Sequence, residues 1–204
     1  MNALTPRVSD NADMRLLVLL IFAVALPLRA DIEPAKKLAA AARAQIGVTT
    51  LYDPAYVKLA YPDGDVPTER GVCTDVVIRA FRAMGLDLQK LVHEDMARAF
   101  SKYPQQWSLK SPDANIDHRR VPNLMRFFER AGKKLAATKN AADYQPGDIV
   151  SCLIPGNLAH IMLVCDTPSP DDPHRCQIIH NIGAGARMED RLFDFEITGH
   201  YRYW

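Results

Sequence analysis

Apolar positions recur at helical spacing along the first two thirds of the chain and alternate along the last third. The most regular stretch is Gly71–Gly85 (GVCTDVVIRAFRAMG). Val76, Val77, Ala80, Phe81 and Met84 form one apolar face, Arg79 and Arg82 fall opposite, and Gly85 supplies a stop. An earlier helix is predicted from Pro34 to Ile46, with Leu38, Ala41, Ala42 and Ile46 on one face and Gly47 ending it. A third covers Gln89 to Phe100. A fourth runs from Pro122 to Ala131, buried through Leu124, Phe127 and Phe128, with Gly132 after it. Residues 48–70 hold no sustained period and read as a long structured loop carrying Tyr52, Tyr56 and Tyr61. Loops of that length in compact domains are usually functional, so these aromatics are candidates to line a cleft as well as to pack on the surface.

After Ala142 the period changes to two. Pro146-Gly147-Asp148 is a turn and Ile149–Ile154 a strand; Pro155-Gly156-Asn157 returns the chain into His160–Asp166. The loop Pro168–Pro173 leads to a strand from Gln177 to Asn181, which Gly183-Ala184-Gly185 breaks. Arg191 to Tyr203 reads as one or two further strands. Helices first and antiparallel strands after them predict an α+β domain with the helices packed on one face of a small sheet.

The N-terminal thirty residues belong to another class. Leu16–Leu28 (LLVLLIFAVALPL) is an apolar run too short to span a bilayer comfortably; Arg15 precedes it and Leu28-Arg29-Ala30 closes it. Residues 1–30 are therefore expected to be a signal peptide with an upstream extension before Met14, the competing reading being an uncleaved anchor. Residues 31–204 form one domain, periplasmic or secreted, without stable membrane insertion once the signal is cleaved. A net charge of +1 gives no reason to expect nucleic acid as a partner. A Gly-rich phosphate loop, a CxxC pair and an EF-hand loop are all missing, so no cofactor is expected.

Candidate chemistry starts at Cys73, placed where a helix begins. Unpaired amides and the helix dipole there favour an anion, and the thiolate is the nucleophile. The alternative is a small buried residue capping a core helix. Alternation puts His160, Met162 and Val164 on one face of their strand. If that face carries the Cys73 helix, the His160 imidazole lies beside the thiol and can serve as its base. His180, on the next strand, is placed to bond the far nitrogen of His160 and fix its tautomer, while Asn181 points to the opposite face. Asp75 suits the helix dipole and is expected to pair with Arg119 or Arg120. Asp117, His118, Arg119 and Arg120 are either a clamp for a substrate carboxylate or an internal network. Cys165 and Cys176 flank a loop but sit on opposite faces by parity, so a bridge between them needs a bulge. A zinc site from His174, Cys176 and His180 lacks a fourth ligand, and no metal is expected.

Gly71-Val72-Cys73-Thr74-Asp75-Val76-Val77, Pro146-Gly147-Asp148-Ile149-Val150, Ala159-His160-Ile161-Met162-Leu163-Val164 and Ile178-Ile179-His180-Asn181 resemble the motif series of the NlpC-type papain-like cysteine peptidases. The resemblance implies a papain-like α+β fold, with Cys73 as nucleophile, His160 as base and His180 as its orienting residue. For exported members it implies cleavage of amide bonds in peptidoglycan peptides. Val72 and Asp75 stand where that superfamily usually has Asp and Gly around Cys-Ser. More closely, Asp63-Gly64-Asp65-Val66-Pro67, Asn115–Leu124 and His180–Gly185 resemble the YijF-like family of uncharacterised exported bacterial proteins. The resulting expectation is a monomeric periplasmic cysteine hydrolase acting on peptidoglycan stem peptide. Cys73, His160 and His180 would be catalytic, and Asp117, His118, Arg119, Arg120 and Tyr56 would bind substrate. The rival expectations are an inactive domain that binds cell-wall peptide or an envelope partner, and an acyltransferase using the same thioester.

Overall fold

The computed structural model describes residues 1 and 29–204, with side chains from Glu33 onward. The expected signal peptide therefore lies outside the described residues, apart from its last two positions and Met1. Four helices precede most of the sheet: α1 (Arg29–Arg43), α2 (Cys73–Ala83), α3 (Leu88–Ala99) and α4 (Val121–Arg130). The strands are β1 (Leu51–Tyr52), β2 (Arg70–Gly71), β3 (Lys134–Leu135), β4 (Ile149–Ile154), β5 (Leu158–Pro168), β6 (Cys176–Asn181), β7 (Ala186–Glu189) and β8 (Glu196–Tyr201). β1 and β2 pair in parallel as a two-residue clip. The rest form one antiparallel sheet in the order β3-β8-β4-β5-β6-β7. The α+β class read from the pattern is the fold observed. No described helix is long and apolar enough to cross a membrane.

The sheet has a core on each face. On one, Val76, Val77, Ala80 and Phe81 of α2 pack with Leu38 of α1, Leu124 and Phe128 of α4, and the strand residues Ile149, Ile161, Leu163 and Ile179. On the other, Val150, Cys152, Met162, Val164 and Ile178 are covered by Tyr144 and Leu192, with Phe193 and Phe195 against them. The helix-bearing face of β5 is thus the one with Ile161 and Leu163. This corrects the expectation that His160, Met162 and Val164 would face α2. Both faces of β5 are buried and apolar, so alternation separates the two sets without saying which one the helices choose.

Polar side chains of α2 and α3 pin the long loop. Arg79 donates to Asp65, Thr49 and the carbonyls of Val66 and Arg70. Gln89 accepts from the Gly64 amide at 2.8 Å and donates to Ala60 O at 2.8 Å. The loop's lack of periodicity follows, because it is held by side chains reaching from helices rather than by a repeating pattern of its own.

Candidate active site

Cys73 is the first residue of α2, and its position is set by neighbours on both sides. The Asp75 carboxylate accepts the Val72 backbone N–H at 2.7 Å and closes the first turn. It also accepts two hydrogen bonds from Arg119, from Nε at 3.0 Å and Nη2 at 3.0 Å. Arg119 then donates to the carbonyls of Ala55 and Asp53. A Cβ on Gly71 would lie 3.0 Å from Asp75 Oδ2, so a side chain there would crowd the ion pair. Asn181, on the opposite face of β6 from His180, donates from Nδ2 to Gly71 O at 3.0 Å. The segment before the helix is therefore tied to the sheet through Gly71, and the thiol with it.

Burial decides the state of that thiol. It pushes Cys73 up to about 11, and the nearby Asp75 charge acts in the same direction. Backbone amides of Ile161, Thr74 and Cys73 itself stabilise the thiolate but do not compensate. This corrects the expectation that a helix start lowers the thiol pKa: removal from water is the larger effect.

On β5 and β6, the two strands that α2 packs against, the imidazoles meet. His160 Nε2 and His180 Nδ1 lie 2.9 Å apart, and His180 Nε2 is 2.6 Å from Glu189 Oε2. The carboxylate assigns the tautomers along this chain. It can only accept, so His180 carries its proton on Nε2 and presents Nδ1 as an acceptor; His160 must then donate from Nε2. His160 Nδ1 is left with a free lone pair and hydrogen-bonds no described residue. Burial, with His180 beside it, holds His160 down to about 3, so the ring is neutral at ordinary pH.

Cys73 and His160 are close in the chain of contacts yet not hydrogen-bonded. The sulfur accepts from the Ile161 amide, which directly follows His160. It also adds to the raised pKa of Cys152, the cross-strand partner of His160. Thus the structure joins His160 directly to His180 and through it to Glu189, and sets Cys73 against the main chain that carries His160.

Cys73 opens onto a cleft of about 520 Å³. Tyr52, Pro54, Val72, Trp107, Arg119, Arg120, Leu153, Leu158 and Ala159 are among the residues around it. Of the expected binding residues, Arg119 and Arg120 reach this wall. Asp117 and His118 do not, being buried behind it; burial and the Arg119 charge hold His118 down to about 4. Arg119 spends its guanidinium on Asp75 and two carbonyls, so the internal network describes it better than a clamp. Tyr56 lies outside the cleft, with its hydroxyl donating to Asp113 at 3.0 Å and accepting from Asn115. The loop aromatic in the cleft is Tyr52.

Glu189 was missed in the sequence because the glycine run before it reads as the end of a strand. Its signal was the alternation Ala-Arg-Met-Glu after a tight turn, which makes β7 and pairs His180 with Arg187. His180 has both nitrogens engaged and His174 is exposed, which removes the zinc arrangement with Cys176. All four cysteines are free thiols, and Cys165 and Cys176 pack into cores on opposite faces.

A model for a domain of unknown function, DUF1287, matches residues 39–203. The chain belongs to that family. A relative in Escherichia coli (strain K12), the uncharacterized protein YijF, is 59% identical over 167 residues, covering 82% of this chain and 80% of its own. Among solved structures, the chain is similar to NlpC1 from Trichomonas vaginalis at 11% identity with a TM-score of 0.42. That likeness covers 83% of this chain and 44% of the other.

Proposed function

We propose that this member of the DUF1287 family is a cysteine hydrolase of papain-like layout that cleaves an amide bond in cell-wall peptide. The observation that carries the reading is the hydrogen-bonded chain Glu189–His180–His160, which leaves His160 Nδ1 unprotonated, on the strand whose next amide, that of Ile161, meets the helix-capping thiol. In the resting state thiol and imidazole are both neutral. On substrate entry the Cys73 proton passes to His160 Nδ1 as the sulfur bonds to the carbonyl carbon, and backbone amides at the start of α2 hold the oxyanion. The tetrahedral intermediate breaks the C–N bond, and the leaving amine takes the proton from Nδ1. Water then gives a proton to Nδ1 and attacks the thioester, releasing the acid and restoring the thiol. His180 and Glu189 are positioning residues that hold the tautomer and stabilise the imidazolium.

Export supports the substrate class, since the apolar run after Arg15 would deliver the domain to the compartment where peptidoglycan stem peptides are found. The domain is proposed to act there as a monomer without a cofactor. The test is mass-spectrometric product analysis of muropeptides incubated with the purified protein, Cys73→Ala and His160→Ala. Turnover by the wild type, lost in both variants with unchanged circular dichroism, is expected; turnover retained in either variant overturns the mechanism.

One observation favours a second reading, an inactive domain that binds cell-wall peptide. Cys73 makes no hydrogen bond to His160, and burial keeps its thiol protonated. Tight muropeptide binding without product, unaffected by Cys73→Ala, would establish that role. Catalytic hydrogen bonds are often long before substrate binds, so the hydrolase reading leads.

A further inference from the structure

Among the less exposed guanidiniums, those of Arg79, Arg119, Arg175 and Arg202 each donate several hydrogen bonds. Arg120 is different. It donates to no described acceptor, although only 17% of its side chain is exposed. Its nearest carboxylate oxygen, Asp117 Oδ1, is 3.7 Å from Nη1, and both of those atoms are buried without a hydrogen-bond partner. Asp117 meanwhile accepts the Asp113 backbone N–H, and burial raises its carboxyl above the usual value. A partly desolvated cation without acceptors is costly, and a ligand anion relieves the cost.

The surroundings aim this cation at the cleft. The Arg120 guanidinium carbon lies 4.1 Å from the centre of the Trp107 ring, a cation–π contact that uses none of its hydrogen-bond donors. Arg120 and Trp107 line the same cleft as Cys73, and no carboxylate among the described residues lines it. Val121 and Pro122, the first turn of α4, add the positive end of a second helix to that wall. The remaining lining is largely apolar (Tyr52, Pro54, Val72, Leu153, Leu158), which suits the backbone and small side chains of a short peptide better than a free inorganic ion.

We propose that Arg120, held over Trp107, forms a carboxylate subsite in the Cys73 cleft, so that the favoured ligand is a short peptide with a free carboxylate close to the amide facing the thiol. The inference rests on the cleft being the substrate site and adds the chemistry that selects the substrate. It is tested by binding rather than turnover, on Cys73→Ala protein so that no product forms. Acetyl-alanyl-alanine and its C-terminal carboxamide are titrated by NMR, following the Trp107 indole, with inorganic phosphate as a third probe.

The free acid is expected to bind about tenfold more tightly than the carboxamide. Arg120→Gln should remove the difference between acid and carboxamide, while Arg120→Lys should keep part of it, since a point charge lacks the bidentate fork. Equal binding in the Arg120-containing protein, binding of neither peptide, or a preference that survives Arg120→Gln overturns the subsite. Phosphate binding as tightly as the acid would make it a general anion site and overturn the peptide assignment. The two proposals fail separately. A carboxylate preference without turnover by wild-type protein leaves the subsite standing and removes the hydrolase, and equal hydrolysis of acid and amide peptides does the reverse.

Discussion

The Cys73 sulfur takes amides from the helix start and from Ile161, and it is still held as a thiol because water is excluded from around it. Alkylation of Cys73, mapped by mass spectrometry against pH, is therefore expected to rise toward a midpoint near 11, well above the ~8.5 of a free thiol. A midpoint below that of free cysteine would contradict this account of the site. Glu189 acts at the other end of the chain. As a carboxylate it can only accept from His180 Nε2, whereas the amide of Glu189→Gln can donate to it and reverse both tautomers, leaving His160 Nδ1 protonated. If the hydrolase reading holds, kcat falls roughly 10²–10⁴-fold with little change in KM. The ¹⁵N shifts of the two imidazoles report the tautomer whether or not turnover is found.

At the level of elements, β4 is the clearest case of legible structure: the alternating run Ile149–Ile154 is the observed strand. The head of α2 was equally visible, as was the pairing of Asp75 with an arginine. That pair ties α2 to the segment before α4, with 2% and 3% of the side chains exposed. Arg119→Met would leave Asp75 buried and unpaired, and urea denaturation should register a loss of roughly 3–5 kcal/mol. β7 was the element missed. Its hairpin turns through Gly185, with φ of +83°, and a Cβ there would lie 2.5 Å from Thr49 O. Gly185→Ala is expected to cost on the order of 1–3 kcal/mol and to loosen Glu189 with the hairpin, which native-state hydrogen exchange at β7 would detect.

For the whole molecule, buried titratable groups limit stability on both sides of neutrality. His118 and His160 are held down to about 4 and about 3, so below the unfolded value of ~6.5 the unfolded chain binds protons that the native state refuses. Their contribution is complete above that pH and is lost as pH falls, at about 1.4 kcal/mol per pH unit for each group. Cys73 and Cys152 act in the opposite sense. Their folded values are pushed up to about 11 and about 12, so the unfolded chain ionises first and stability declines as pH rises above ~8.5. Urea midpoints are expected to peak between these limits and to fall at pH 5 and pH 9.5; a flat profile would mean these groups are solvated in the native protein.

Local pattern alone determined α2, α3 and α4, most of the strands, the α+β class and the cysteine at a helix start, because each follows from residue spacing and from the conformations that glycine and proline allow; α1 instead begins at Arg29 and carries Pro34 inside it. Tertiary structure decided the rest. Which face of β5 meets α2 depends on a choice between two apolar faces that alternation leaves equal. The state of the thiol depends on how much water the finished packing removes. The partner of His180 depends on a hairpin that brings Glu189 back across a glycine turn. Arg119 and Arg120 are neighbours of identical type, and only the folded chain separates them, giving one a carboxylate and two carbonyls and leaving the other with no hydrogen bond to a described residue at the edge of the cleft.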